Sequence, residues 1–298
     1  MPAGFGKSGA RDMSRIVIVG SGVVGRATGK GFIAHGNEVT FVDVDEEIIS
    51  QLTDQGYTAI DLAGMDLTGA EAVFVSVATP TGPYGIDLNY LERACKSLGA
   101  ALGDCQSQPV IVFRCTMPPG TTRDFLIPRL EEASGKRADA DFGVCYNPEY
   151  LRANCAEMDF LHPRVVTIGR ELGSVDFAQR VAEIYSSLGA PVYYCSYEEA
   201  EFQKYVHNLY NATKISFFNE MRAAAEALGV DSRAAFQCTA LSAQGMWDSL
   251  YGTHDHGPYA GACLPKDVAA WLKFAEGRGL PARVVSAVRG VNRACGGR

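Results

Sequence analysis

Residues 261–267 read Gly261-Ala262-Cys263-Leu264-Pro265-Lys266-Asp267, a thiol close in sequence to an amine and a carboxylate. A thiolate beside a nicotinamide can do what a plain alcohol dehydrogenase cannot. It adds to an aldehyde as a thiohemiacetal, from which a second hydride can leave. That chemistry carries a primary alcohol through to an acid. Upstream, Lys204 and Asn208 stand one helical turn apart, so an amine and an amide share one face. Glu149 follows Asn147-Pro148, a common turn pair.

The nicotinamide partner is suggested by the other end of the chain. Arg15–Gly20 is a β-branched run that reads as a buried parallel strand. It leads directly into Gly20-Ser21-Gly22-Val23-Val24-Gly25 and a helix-compatible stretch to about His35. Gly20 permits the tight turn. Gly22 lets a pyrophosphate approach the backbone beside Val23 and Val24, and Gly25 allows close helix–strand packing. A second strand, Glu38–Val42, ends at Asp43. A carboxylate there accepts from the adenosine ribose hydroxyls and repels a 2′-phosphate, so NAD is preferred to NADP. Thr79 and Thr81 follow a third strand, and Thr116 a fourth, where ligand loops belong.

Further strands are expected at Ala72–Val77, Val110–Phe113, Phe142–Cys145, Val165–Ile168 and Val192–Cys195, with helical stretches between most of them. From Tyr197 the pattern changes to a long helix reaching Leu228, then helices at Ser232–Ala243, Asp267–Glu276 and from about Pro281 towards Ala294. The fold expected is α/β: an N-terminal Rossmann-type doubly wound sheet, then an all-helical central domain. The boundaries expected are a flexible extension over 1–13, an NAD-binding domain over 14–196 and a helical, dimerising domain over 197–298.

Composition narrows the class. The 298 residues are 47% hydrophobic and 20% charged, ordinary for a soluble globular protein. Net charge is −7 without a basic tract, against a nucleic-acid-binding surface. No apolar run approaches the roughly 20 residues that span a bilayer, and no signal peptide is recognisable. A cytoplasmic protein is expected. Nine cysteines without a CxxC pair suggest reduced thiols, most of them small core residues. His254-Asp255-His256 has chelating alternation but no second Cys/His pair at a useful spacing, so no metal is expected.

Four segments carry a resemblance. They are Arg114-Cys115-Thr116-Met117-Pro118-Pro119-Gly120-Thr121-Thr122, the run Tyr146 to Arg152, the helix from Ala200 through Lys204 and Asn208 to Glu220, and the Cys263 heptapeptide. In this order they resemble the UDP-glucose/GDP-mannose dehydrogenase family, from about Arg15 to the last residue. The resemblance implies a four-electron oxidation of a primary alcohol on a nucleotide sugar or nucleotide-like alcohol, using two NAD. It makes Cys263 the nucleophile, with Lys204 and Asn208 stabilising the oxyanions. Asp267 and Thr116 handle protons through a water, and Glu149 directs the hydrolytic water. Tyr150, Leu151, Arg152, Lys204, Asn208, Tyr259 and Gly261 become candidate substrate contacts. A homodimer through the central helix is implied, and an apolar face of Val284, Val285, Val288 and Val291 fits it.

Three departures stand beside the resemblance. Ala153 replaces the acid of the family's NPEFLRE motif. Pro258, Ala260 and Ala262 stiffen a loop that is glycine-rich in the family. The family continues into a third, α/β domain that grips the substrate nucleotide, whereas this sequence stops at Arg298 in the preceding helix. Either the sequence is a piece of a longer chain or the native protein is minimal. If minimal, the grip is lost or remade by a partner subunit, and a nucleoside phosphate or another phosphorylated primary alcohol becomes a candidate substrate. Two alternatives remain: a single-hydride β-hydroxyacid-type dehydrogenase, and a catalytically inactive NAD-binding regulatory subunit.

Overall fold

The computed structural model describes residues 13–171, 173, 175–253 and 257–297. Most of the expected 1–13 extension, the His254-Asp255-His256 tract and Arg298 lie outside the described residues. Backbone contacts divide the chain into two compact units, meeting between Val206 and His207.

The first unit is built on an eight-stranded sheet. In chain order its elements are β1 (Arg15–Val19), α1 (Val23–Ala34), β2 (Glu38–Val42), α2 (Glu46–Asp54), β3 (Thr58–Ile60) and β4 (Ala72–Val75). A small hairpin, β5 (Thr81–Gly82) and β6 (Gly85–Ile86), precedes α3 (Asn89–Asp104) and β7 (Val110–Phe113). Then come α4 (Ile127–Ser134), β8 (Gly143–Tyr146), α5 (Ala156–Leu161), β9 (Val166–Gly169), α6 (Val175–Ile184) and β10 (Val192–Cys195). The strand order is β10-β9-β8-β7-β4-β1-β2-β3. The central strands β1, β4, β7 and β8 are buried on both faces except for Arg15, which explains their β-branched runs. One apolar cluster holds Val17, Val75, Leu98, Phe113 and Leu130, and the other holds Ile16, Phe32, Phe74, Val112 and Ile168.

Chain direction is the feature that strand alternation alone did not indicate. The six strands from β3 to β8 are parallel, but β9 pairs antiparallel to β8, and β10 follows β9. The link between β8 and β9 carries only a three-residue 3-10 turn, Ala153–Cys155, and the six-residue α5. That helix packs onto α1 through Phe160, whose ring meets Phe32 edge-on at 5.0 Å. It does not span the sheet as a parallel crossover helix does. The short β3 and the β5–β6 hairpin were also not expected.

Helix α7 (Tyr197–Ala227) starts where the helical pattern begins, but its first turns pack into the first unit. Tyr197 and Ala200 belong to the core, and the Tyr197 hydroxyl donates to the Val144 carbonyl at 3.0 Å. The units therefore divide ten residues beyond the start of the helix.

The second unit contains the rest of α7 with α8 (Ser232–Ser242), α9 (Gln244–Trp247), α10 (Leu264–Arg278) and α11 (Arg283–Ala294). Asp231 caps α8 by accepting from the Arg233 amide. Phe218 of α7 packs against Phe236 of α8 at 4.9 Å. Glu220 accepts from the Val284 and Val285 amides at 2.8 and 3.3 Å, placing a negative charge at the N-terminus of α11. Helix α10 begins three residues earlier than its pattern suggested, because Pro265 fits a first turn, where its missing N–H is not needed.

Candidate active site

The C-terminal ends of β1, β2, β4, β7 and β8 open into a cleft of about 730 Å³, contained in the first unit. Gly20 closes β1 with φ +86°, and its amide donates to the Val42 carbonyl at 2.9 Å. A β-carbon on Gly20 would lie 2.8 Å from the Ser76 and Val77 backbone. On Gly25 it would lie 1.9 Å from the Gly20 carbonyl oxygen. On Gly22 it would meet nothing within 4 Å, so this glycine borders open space in the cleft wall. No side chain caps α1 at Gly22, which leaves the first-turn amides for an anionic ligand.

Asp43 ties this turn to the second strand. Its carboxylate accepts from the Ser21 amide at 2.5 Å and from the Val44 and Asp45 amides at 2.8 and 3.0 Å. Ile48 and Leu62, which follow β2 and β3, line the cleft at the Asp43 end, and Tyr90 lines it too. Open backbone at Gly22, a helix N-terminus and an acid just after β2 together fit a dinucleotide.

The other end of the cleft is lined by Thr79, Arg114, Cys115, Thr116 and Glu149. The Thr79 hydroxyl donates to the Thr116 carbonyl at 2.8 Å, which pins the two loops together. Thr81 lies beyond, exposed in β5 and outside the cleft lining. Cys115 is buried, and that burial pushes its thiol up to about 12. It stays protonated near neutral pH and donates weakly to the Val77 carbonyl at 3.0 Å.

Glu149 connects the cleft to α7. The Lys204 ammonium donates to the Glu149 carbonyl oxygen and to its Oε1, the latter at 2.9 Å. Both side chains are withdrawn from water, at 5% and 15% exposure. The second carboxylate oxygen accepts from the Leu151 amide at 2.6 Å. An ammonium has three donors. Glu149 occupies two of them, and the third can serve an incoming oxyanion.

The other candidate residues are more scattered. The Tyr150 hydroxyl lies 2.9 Å from Thr167 Oγ1 and donates to Gln203 Oε1 at 2.5 Å, while its ring faces Lys204. Leu151 packs against the core, and Arg152 forms a two-pronged pair with Asp159 at 2.7 and 2.9 Å. In the second unit Asn208 is exposed on α7, and Tyr259 and Gly261 lie in the loop before α10. Cys263 is exposed at the N-cap of α10, and its carbonyl accepts from the Asp267 amide at 2.9 Å. Asp267 pairs with Lys266 at 3.0 Å, an exposed contact that contributes little to stability.

One residue was missed. Glu201 is fully buried and accepts from the Gly120 amide at 2.5 Å and the Thr122 amide and hydroxyl at 2.7 and 2.6 Å. It fastens the loop that follows Thr116 to the helix that carries Lys204. That loop ends in a single wide π-turn, Thr122–Leu126, whose N-terminal amides need an acceptor. The available signal was that Glu201 shares a helical face with Lys204 and Asn208, at i, i+3 and i+7.

Comparison with known proteins supports the same reading. Residues 58–189 match the UDP-glucose/GDP-mannose dehydrogenase family, NAD binding domain, and residues 198–294 match its central domain. The chain belongs to the UDP-glucose/GDP-mannose dehydrogenase family. The first unit of this family member is an NAD-binding domain. GDP-mannose 6-dehydrogenase of Azotobacter vinelandii is 35% identical over 278 residues, covering 86% of this chain and 63% of that protein. UDP-glucose 6-dehydrogenase of Haloferax volcanii is 32% identical over 303 residues, covering 92% and 68%. A GDP-mannose dehydrogenase structure from Pseudomonas aeruginosa superposes with TM-score 0.87 at 30% identity, over 94% of this chain and 69% of that one. The chain thus spans about two thirds of the length of these family members. Among the described residues, no helix is long and apolar enough to cross a membrane.

Proposed function

We propose that this chain oxidises the primary alcohol of a nucleotide sugar to a carboxylic acid with NAD. The observation that carries the reading is the withdrawn Lys204–Glu149 pair, since Glu149 itself lines the dinucleotide cleft. Gly22, Val23, Val24 and Asp43 hold the cofactor, and Thr79 and Thr116 shape the opposite end. The relatives' names support a nucleotide-sugar substrate.

Bound NAD supplies the hydride acceptor, one molecule for each of two oxidations. The Cys263 sulfur adds to the carbonyl carbon of the aldehyde, forming a C–S bond while the π electrons move to oxygen. Lys204 and Asn208 donate to that oxyanion. Loss of the second hydride from the thiohemiacetal carbon leaves a thioester. Water, directed by Glu149, then breaks the C–S bond and returns the thiol. Asp267 and Thr116 pass the protons. Overall, one alcohol, one water and two NAD give one carboxylate, two NADH and three protons.

We also propose a cytoplasmic homodimer, formed through the central helices. Leu209, Tyr210 and Ile215 of α7 are more than half exposed, as is Val291 of α11. The deciding experiment counts NADH against acid formed from GDP-mannose and UDP-glucose. Two NADH per acid supports the reading, and one NADH with the aldehyde or ketone as final product overturns it.

A further inference from the structure

We propose that Gln203 is a positioning residue for Lys204, acting through the ring of Tyr150. The inference rests on the reading above that Lys204 donates to the reacting oxyanion.

Gln203 and Lys204 are neighbours on α7, so their side chains leave the helix about 100° apart. Both nevertheless meet Tyr150. Gln203 Oε1 accepts the phenol proton at 2.5 Å, and the Lys204 ammonium stands over the ring face, 5.6 Å from its centroid. Tyr150 is a wedge between two adjacent side chains of one helix. Its hydroxyl is also 2.9 Å from Thr167 Oγ1 on β9. A phenol has one proton, and an amide oxygen can only accept. The proton therefore goes to Gln203, and the Thr167 hydroxyl donates to the phenol oxygen. The ring is fixed at its far end by two elements, β9 and α7.

The fixed ring forms one wall beside the ammonium. The Glu149 carbonyl and carboxylate draw Lys204 Nζ from one side, and the Tyr150 face attracts it from another. Without the Gln203 anchor the ring can tilt away. Lys204 would then keep its ion pair with Glu149 but lose the wall that sets the direction of its remaining N–H. Among the described residues Gln203 hydrogen-bonds Tyr150 and neither Lys204 nor the cleft lining, so its effect passes through Tyr150.

The test follows Lys204 directly. The full chain is treated with an amine-acylating N-hydroxysuccinimide ester, and the rate at Lys204 is read by peptide mass spectrometry. Lys136 and Lys273 serve as internal references. Lys204 should label several-fold faster in Gln203→Leu and in Tyr150→Phe, with the references unchanged. The double variant should label no faster than either single one, and Gln203→Glu, which keeps an acceptor, should restore the slow rate. In turnover, Gln203→Leu should lower kcat several-fold with the KM for NAD unchanged. Unchanged Lys204 labelling in both single variants overturns the proposal, as does a double variant in which the two effects multiply. Altered labelling without any turnover of nucleotide sugars by the wild type would leave the positioning role standing and overturn the functional reading instead.

Discussion

The Glu201 carboxylate accepts both the amide and the hydroxyl of Thr122, at 2.7 and 2.6 Å, from within a fully buried setting. Burial pushes its carboxyl above the usual range, and the donors at Thr122 and Gly120 partly counter this. A carboxyl raised in the folded state binds more protons folded than unfolded. Its contribution is full below the unfolded value and is lost as pH rises through the folded one. The stability of wild type minus that of Glu201→Gln should therefore decline from about pH 4 upward. Urea unfolding of both proteins over pH 4–7 measures this, because other carboxylates cancel in the difference. A difference that is flat or grows with pH would contradict it.

The glycines of the first turn separate folding from binding. Gly22→Ala places a methyl group in open cleft space, so the variant should unfold like the wild type. Its NAD affinity should fall about tenfold or more, some 1.4 kcal/mol, as the backbone can no longer approach the ligand. Gly25→Ala drives a methyl group into the Gly20 carbonyl oxygen at 1.9 Å. That variant should lose on the order of 1–3 kcal/mol of stability before binding is considered. Calorimetric titration with NAD beside thermal unfolding distinguishes the two. Equal stability losses in both variants would refute the assignment.

Those glycines also show what the sequence made legible. Gly20, Gly22, Gly25 and Asp43 act within one βαβ unit, so local spacing reports them. Lys204 and Glu149 were legible as separate motifs, but not as a withdrawn ion pair, because 55 residues separate them. Glu201 was hidden for the same reason. A glutamate in a polar helix reads as solvated until the Gly120–Thr122 backbone is brought against it. The reversal of β9 escaped because a buried strand has the same composition in either direction. Strand β3 escaped because Thr58 is exposed and Ala59 and Ile60 are only half-buried, with no apolar run to mark them.

Removing one partner of the Lys204–Glu149 pair should be more damaging than its length suggests. Lys204→Ala leaves a carboxylate withdrawn from water without its cation, at a cost of about 3–5 kcal/mol. Glu149→Gln keeps an acceptor for the ammonium and should cost less. Urea unfolding of both variants at neutral pH provides the comparison. If Lys204→Ala loses less than about 1 kcal/mol, the pair behaves as an exposed surface contact and cannot set the direction of a donor.

The two accessible roles for a thiol can be told apart at Cys263 and Cys115. Cys115 lines the cleft, but its thiol is pushed up to about 12. Cys263 is exposed at the start of α10. Iodoacetamide at pH 7.5 should alkylate Cys263 and leave Cys115 unmodified. Cys263→Ser replaces a thiol by a hydroxyl, a much weaker nucleophile. Acid formation should fall by about 10³-fold, or about 4 kcal/mol. NAD affinity should not change, because every residue lining the cleft precedes Tyr150. The first oxidation does not need the sulfur, so the variant should still release one NADH per alcohol and accumulate aldehyde. Intact-mass spectra of the wild type with NAD and a nucleotide sugar should show a substrate-sized adduct that the serine variant lacks. Full acid production by Cys263→Ser, with two NADH per turnover, would remove the thioester from the mechanism.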